Sequence, residues 1–466
     1  MQEIIKILSH PINSSITIPG SKSITNRVLL LAALAKGESK ISGILKSNDT
    51  EVMAEALNQA GVKVSIQEDL SAKIIGCAGV FPDLNLKKDS DFFIKIYTHE
   101  SGTATRFLIP ALAACGLGKY YFHGSERMMD RPLEPQLKAL SLLGAKFNFE
   151  FNKTFKMPFF LGENNLKNKL KDGEILIDIK DSSQFLSGLL MAAPYALGPI
   201  VLKSTHNVFS KPYVLMTLKL MEQFGVKINL VSPQELKIEP SAYQACDLMI
   251  EPDMSTASYF FAIPALVGGK LHVKNCSRTN SLQGDIKFLE VLETMGCEVI
   301  QENNGITVSY LNDLKNLKSP GEISMAGFSD TFMTVAVLAC FCDAPTVLHG
   351  LAHTRLQESD RVSAIALGLN KLGIKTEETP DSLKIYPFEN FKNLENLENL
   401  RKIDNKNFIL DSFNDHRIAM SLSLMGLKIP GVIINNSQAV AKTCPDFFKL
   451  LEKCRGESCI RAEQWK

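Results

Sequence analysis

A phrase repeated six times limits what this chain can fold into more than any other feature. An apolar, helix-like end, a glycine and a β-prone stretch recur as LNQAGVKV, LSLLGAKF, LMEQFGVKI, LETMGCEV, LNKLGIKT and, in degenerate form, LLEKCRGES. The glycines, Gly61, Gly144, Gly225, Gly296, Gly373 and Gly456, are separated by 83, 81, 71, 77 and 83 residues, a spacing too regular for unrelated loops and the mark of a duplicated unit. Each phrase reads as a helix stopped by glycine just past its end, where a left-handed backbone costs glycine little, with a strand directly after. Val52 with Ala56 and Leu57, or Phe288 with Val291 and Leu292, gives each helix one apolar face to bury. Such helices alternating with strands predict βα modules and an α/β fold. The polar, repetitive segment FENFKNLENLENLRKIDNKN, about residues 389 to 408, lengthens the interval before the last unit and is expected to be a surface insertion.

At 466 residues the chain exceeds what one hydrophobic core serves, so two or more domains are expected. Lys+Arg 51 against Asp+Glu 50 leaves a formal charge of +1, which gives no general attraction to nucleic acid or to an anionic membrane. Any anionic ligand must be met by local positive charge. The start, MQEIIKILSHPINSS, has neither the basic-then-apolar pattern of a secretory signal nor the composition of a transit peptide, and no apolar run approaches the ~18 residues of a membrane span. A cytoplasmic protein is expected. Ten cysteines without a C-x-x-C pair and eight histidines without ligand spacing suggest reduced thiols and no metal.

Candidate chemistry lies at the starts of apolar helices. ITIPGSKSITNRVLLLAALA sets a strand, a Pro-Gly turn and a Ser/Lys/Ser cluster before a helix, so that main-chain N–H groups with Lys22, Ser23 and Arg27 form a candidate anion site. It is not a nucleotide P-loop, because a serine separates Gly20 from Lys22. YTHESGTATRFLIPALAA opens a helix with Ser101, Gly102 and Thr103, and Arg106 lies one turn in. GSERMMDRPLEPQLKALSLLG carries Arg127 and Arg131, with Pro132 placed at a first helical turn. Ser182, Ser183 and Gln184 precede one apolar helix, and Ser210 with Lys211 precedes another. Asp253 and Asp330 also stand before apolar helices, where an aspartate is ordinarily a cap worth ~1 kcal/mol. Glu358 and Arg361 have the spacing of a helix-surface pair. Asp415, His416 and Arg417 gather at a helix start, and Lys442 precedes the last helix. Capping explains any one of these; it does not explain arginines and lysines at nearly every repeat. Convergent helix starts that focus positive potential in a nearly neutral protein suit small polyanionic substrates.

Taken in order, PGSKSITNR, SGTATR, ERMMDRP, SSQFLSGLLM, SKPYVLMTL, DMSTASYF, ESDR, NDHRIAMS and AKTCPDFF resemble the EPSP synthases, over a stretch from Pro19 to about Phe448. The resemblance implies two similar domains, each of three βαβαββ-type repeats, in the inside-out α/β barrel of the enolpyruvyl transferases. It places residues 21–251 in one domain and residues 1–20 with 252–466 in the other, with crossings near Gly20 and Pro252 and the active site in the cleft between them. The implied reaction moves the enolpyruvyl group of phosphoenolpyruvate to the 5-hydroxyl of shikimate 3-phosphate, in the shikimate pathway towards chorismate and the aromatic amino acids. No cofactor, no metal and a monomeric enzyme are implied. Carried over by position, Lys22, Ser23, Arg27, Ser182, Ser183, Gln184, Ser210, Asp330, His353 and Gln357 would meet shikimate 3-phosphate. Lys22, Gly102, Arg127, Gln184, Arg361, Arg417 and Lys442 would hold phosphoenolpyruvate. Asp330 would accept the hydroxyl proton, Glu358 would exchange a proton with the methylene carbon, and Lys22 would aid proton transfer.

This sequence departs from that family where Glu100 and His353 replace the usual Asn and where Gln357 replaces the usual Lys. Loss of the charge at Gln357 removes a charge-assisted bond worth ~1.5 to 3 kcal/mol, which predicts weaker acceptor binding unless another cation compensates. Glu100 is expected to pair with a nearby arginine. Alternative readings are a UDP-N-acetylglucosamine enolpyruvyl transferase, an enzyme for another hydroxylated acceptor, and a non-catalytic anion-binding descendant. SKSITNR and SSQF favour the shikimate branch over the UDP-sugar enzyme, and retention of Asp330, Glu358, Arg417 and Lys442 argues against loss of catalysis.

Overall fold

In the computed structural model, residues 1–85, 89, 91–150, 154–163, 166–177, 182–204, 211–311, 316–388 and 407–462 are described, with side chains as far as residue 455. They form an α/β protein of two compact units, Met1–Pro19 with Glu251–Lys466 and, as a continuous stretch, Gly20–Ile250. The first crossing is made at a glycine for a steric reason: a Cβ on Gly20 would lie 1.9 Å from the Gly43 carbonyl oxygen. Only glycine lets two main chains approach this closely.

Among the described residues there are six small sheets, three in each unit. Four of them share one plan: a parallel pair of strands extended by two antiparallel strands. In Gly20–Ile250 the plan is met by Ile94–Tyr97 beside Tyr120–His123, followed by Phe159–Leu161 and Phe147–Phe149. It recurs with Gly173–Leu176, Ile200–Lys203, Glu235–Ile238 and Asn229–Ser232. In the other unit, Glu322–Ser324, Thr346–His349, Ser382–Ile385 and Thr376–Glu378 repeat it. A parallel pair needs a crossover, and a helix supplies it each time: Gly102–Cys115, Gln184–Ala192 and Phe332–Ala339, respectively. A second helix and an antiparallel hairpin complete a βαβαββ unit. The strand Ile12–Ile16 supplies the first member of another such sheet, pairing parallel to Gly269–Lys274, and Gln2–Ile4 closes the last one.

The two helices of a repeat differ in kind. The crossover helices are buried almost all round: every residue of Gly102–Cys115, Met254–Val267, Phe332–Ala339 and His416–Met425 is buried. Helices that are apolar on all sides belong inside a domain, and within the unit containing the termini the last three pack pairwise on one another. The second helices are amphipathic and end at the repeated glycines. Val52, Ala56 and Leu57, and Phe288, Val291 and Leu292, are buried as their spacing requires. Gly61, Gly144, Gly225, Gly296 and Gly373 all have φ between 84° and 100°, the left-handed conformation of a helix stop.

Three expectations need correction. Gly456 ends nothing, because the terminal helix runs from Phe447 to Ala462; helix formers follow it, and a single interior glycine costs only ~1 kcal/mol. After Gly61 no strand forms. There the side chain of Asn58 takes both main-chain groups of Val64, accepting from its N–H at 2.9 Å and donating to its carbonyl at 2.8 Å, which occupies the bonds a ladder would use. Pro132 lies outside its helix, which begins at Glu134 with Pro135 in the first turn. Residues 389–406 of the expected insertion lie outside the described residues; Phe408, assigned to its end, opens the strand Phe408–Asp411. The described cysteines are unbonded, with Cys77 and Cys246 half-buried and the others buried. No helix among the described residues is long and apolar enough to cross a membrane.

Candidate active site

In Glu251–Lys466 the first turns of the helices Arg361–Lys371 and His416–Met425, the short turn Ser329–Thr331 and the end of the turn Ser437–Lys442 bring their charges together around Arg361. ESDR folds so that Asp360 caps the helix Arg361–Lys371, accepting from Ser363 N at 3.1 Å, and Arg361 becomes its first residue. Its guanidinium is 2% exposed and uses all three nitrogens. Nε donates to Asp415 Oδ2 at 2.8 Å, Nη1 to Asp330 Oδ1 at 3.1 Å and to Gln357 Oε1, and Nη2 to Glu358 Oε2 at 2.8 Å. Asp415 also caps its own helix through Arg417 N at 2.9 Å. Arg417 donates Nη2 to Asp330 Oδ2 at 2.8 Å, and Lys442 donates Nζ to Glu358 Oε1 at 2.9 Å. Three cations therefore face three carboxylates. Burial alone would pull Arg361 down, but Asp415, Glu358 and Asp330 outweigh it and hold the guanidinium above its ordinary value. An arginine so placed is charged at any working pH.

Two sequence readings change here. Asp330 is not a helix cap; it lies in the turn Ser329–Thr331 and spends its oxygens on Arg361 and Arg417. Glu358 and Arg361 form no surface pair, since the arginine is buried. His353 Nε2 lies 2.9 Å from Ser329 Oγ, next to Asp330. Gln357 has an acceptor oxygen on Arg361, a contact that an ammonium in its place would turn into repulsion.

In Gly20–Ile250 a second group of candidate residues gathers at helix starts. Ser21 caps the helix Lys22–Leu34, and Lys22 pairs with Asp49 at 3.4 Å. Arg27 points inward and is 2% exposed. Its Nε donates to Thr217 Oγ1 at 2.8 Å, Nη1 to the Ser23 carbonyl at 2.9 Å and Nη2 to Ser187 Oγ at 3.1 Å, with the Phe107 ring 5.0 Å away. Burial pulls it down to about 10, so it keeps its charge at neutral pH. Gln184 opens the helix Gln184–Ala192 and bridges to the neighbouring helix start: its Oε1 accepts from Arg106 Nη1 at 2.7 Å and its Nε2 donates to Thr103 Oγ1 at 3.0 Å. Ser182 Oγ accepts from Gln184 N at 3.2 Å, and Ser183 is at the cap position.

Gly102 begins its helix with two guanidiniums against it. A Cβ there would be 2.7 Å from Arg131 Nη1 and 3.0 Å from Arg106 Nη1. Arg127 is exposed on the short helix Glu126–Met129, and Arg131 is the arginine of the same motif whose guanidinium lies against Gly102. Arg131 also reaches Glu100, but through the Glu100 main-chain carbonyl at 3.4 Å rather than its carboxylate. Ser210 lies outside the described residues.

Sequence reasoning left Arg106, Arg131, Asp415 and Asp285 unassigned. Three of them stood in quoted motifs; Asp285 gave no signal, since it lies on a turn without helical or strand periodicity. It is 7% exposed, and Ser255 Oγ donates to its Oδ2 at 2.5 Å. Among the described residues no group of three or more His, Cys, Asp or Glu is arranged to hold a metal ion.

Arg361, Arg417 and Lys442 thus surround one buried carboxylate, Asp330, and one half-buried carboxylate, Glu358, an arrangement that fits proton transfer beside a polyanion. Residues 8–451 match the sequence family "EPSP synthase (3-phosphoshikimate 1-carboxyvinyltransferase)". A 3-phosphoshikimate 1-carboxyvinyltransferase of Nostoc punctiforme is 36% identical over 455 residues, covering 96% of this chain and 99% of that protein. The chloroplastic protein of the same name from Arabidopsis thaliana is 35% identical over 472 residues, with coverage of 97% and 84%. Among solved structures, EPSP synthase from Acinetobacter baumannii superposes with a TM-score of 0.77 at 22% identity, covering 97% of this chain and 98% of that one. The enolpyruvyl transferase NikO from Streptomyces tendae gives 0.69 at 16% identity, with 97% and 96% covered. The chain is thus an enzyme and belongs to the EPSP synthase family, the 3-phosphoshikimate 1-carboxyvinyltransferases.

Proposed function

We propose that this enzyme transfers the enolpyruvyl group of phosphoenolpyruvate to the 5-hydroxyl of shikimate 3-phosphate, releasing inorganic phosphate, as a step of the shikimate pathway. The observation that carries the reading is the cluster in which Arg361, Arg417 and Lys442 surround Asp330 and Glu358, in a chain related along nearly its whole length to proteins of that name. A substrate bearing a phosphate and a carboxylate competes with Asp330 and Glu358 for these cations. Its binding frees the two carboxylates for proton transfer.

The steps follow from the chemistry of the enol. The acceptor hydroxyl attacks the carbon that bears the phosphate ester while Asp330 takes the hydroxyl proton. Glu358 delivers a proton to the methylene carbon, which becomes a methyl group in a tetrahedral intermediate. The phosphate then leaves with the C–O electron pair as Glu358 recovers a proton from the methyl group, restoring the double bond on the acceptor. Positioned acids and bases of this kind contribute ~10²- to 10⁴-fold each. Fixed cations aimed at the departing phosphate add electrostatic stabilisation that needs no reorganisation.

Arg361, Arg417 and Lys442 are assigned to phosphoenolpyruvate, together with Lys22, Gly102, Arg127 and Gln184. Ser23, Arg27, Ser182, Ser183, Ser210, His353 and Gln357, with Lys22, Gln184 and Asp330, are assigned to the acceptor. Arg131 and Arg106, which flank Gly102, support an anion there. Action as a monomer and in the cytoplasm belongs to the same proposal.

Phosphate release by the purified protein tests the reading. Release is expected with shikimate 3-phosphate and phosphoenolpyruvate together and not with either alone. Release only with a UDP-sugar acceptor, or none at all, would overturn it. Asp330→Asn is expected to keep the fold at reduced stability, since Arg361 and Arg417 lose the carboxylate between them, and to lose most turnover.

A further inference from the structure

We propose that Asp285 is a positioning residue for this reaction, whose carboxyl, held by Ser255 beside the Asp330–Arg417 pair, sets the net charge that the anionic substrate meets. The inference rests on the substrate reading above.

Geometry supports it first. Asp285 lies on the turn Gly284–Lys287, which packs against the start of Met254–Val267 and against the turn that carries Asp330. Main-chain fixation of the surroundings is thorough: Gln283 accepts from Met254 N at 3.0 Å and donates to the Pro252 carbonyl at 2.7 Å. The charged groups that act on Asp285 from the packed elements are Asp330, Arg417 and Asp253, while Lys287 on its own turn and Glu290 on the next helix are exposed. Asp253 is engaged as a cap, accepting from Thr256 N at 2.8 Å.

Charge balance supplies the second argument. Arg361, Arg417 and Lys442 already face Asp330, Glu358 and Asp415 in equal number. Asp285 is a further carboxyl in the same neighbourhood. Protonated, it is a neutral partner for Ser255; ionised, it leaves a surplus negative charge at a site only 7% exposed, where water screens poorly. That surplus opposes a substrate carrying both phosphate and carboxylate. Burial, joined by the charge of Asp330 and against the pull of Arg417 and Ser255, pushes Asp285 up to about 7. The carboxyl therefore changes state within the working range of the enzyme, and substrate affinity falls as it ionises.

The test compares full-length wild type with Asp285→Asn, which keeps the shape and the acceptor oxygen but stays neutral. The KM for phosphoenolpyruvate is measured from about pH 5.5 to 8.5. Titration of the substrate itself cancels in the ratio of wild type to variant. That ratio is expected to be near one at the acid end and to rise roughly three- to tenfold at the alkaline end. Ser255→Ala, which removes a bond that favours the ionised form, is expected to keep the rise and move its midpoint to higher pH. A readout that needs no turnover accompanies these: the melting temperature of Asp285→Asn should exceed that of wild type by an amount that grows between about pH 4 and 7. A flat KM ratio in proteins that turn over, or a melting difference independent of pH, overturns the role of Asp285 alone. Absence of phosphate release from both proteins at every pH overturns the substrate reading, and this role with it.

Discussion

Arg361 shows how far a single residue's environment decides its meaning. The i, i+3 spacing with Glu358 is that of an ordinary surface pair, yet the guanidinium is buried and carries three carboxylates. Removing one member of a buried ionic cluster leaves the others unpaired, which costs ~3–5 kcal/mol. Arg361→Ala should therefore lower unfolding free energy by about that amount in urea titrations, besides raising the KM for phosphoenolpyruvate. Glu358→Gln makes a contrasting prediction. Its ion pairs are with Arg361, which keeps Asp330 and Asp415, and with Lys442, which is partly exposed to water, so the amide weakens the cluster less than loss of the buried guanidinium does. Turnover should drop by roughly 10²-fold or more while stability changes far less. Asp285 contributes the pH dependence. Its folded value, raised from 3.8 to about 7, means that between these values the folded state holds a proton the unfolded state lacks. Stability due to this group therefore falls as pH rises through that window and is constant above it.

Within the elements, close helix contacts position the candidate site. Gln184–Ala192 packs on Gly102–Cys115 at Gly188, where a Cβ would be 2.2 Å from the Arg106 carbonyl oxygen. The same carbonyl accepts from Gln136 Nε2 at 2.8 Å, so neither backbone can give way freely. Gly188→Ala should cost ~1–3 kcal/mol by overpacking and should also weaken substrate binding, because Gln184 and Arg106 are set by that contact. Thermal denaturation and KM measured on one preparation check both parts. The repeat glycines were legible because a helix stop has a composition, and five of the six have the expected left-handed backbone. The missing strand after Gly61 was not legible. It depends on the reach of one side chain, Asn58, to a main chain six residues on.

For the whole molecule, the consequence of the chain path is that Gly20–Ile250 is one continuous stretch, whereas the other unit is assembled from both ends of the sequence. Leu248–Met249, at the end of the continuous stretch, pairs parallel with Glu38–Ser42 near its start, so this unit closes on itself. Residues 20–250 expressed alone should therefore fold, with a single cooperative unfolding transition by circular dichroism. A fragment of residues 251–466 should be much less stable, since it lacks Ile12–Ile16, which pairs along Gly269–Lys274, and Gln2–Ile4, which completes the last sheet.

By itself the sequence determined the α/β class, five of the six repeat glycines, the family and the motifs that carry Lys22, Gly102, Gln184, Asp330, Glu358, Arg417 and Lys442. Those are properties of local composition and of ordered motifs, which can be read without knowing what lies opposite. Tertiary structure alone decided that Asp330 is an arginine partner rather than a cap, that Arg131 lies against Gly102, that Arg27 faces inward, and that Asp285 belongs to the same neighbourhood as Asp330. The reason is physical. A charge's role is set by its burial and by the charges brought near it, and residues as distant in sequence as Asp285, Asp330 and Arg417 become neighbours only when their helices pack.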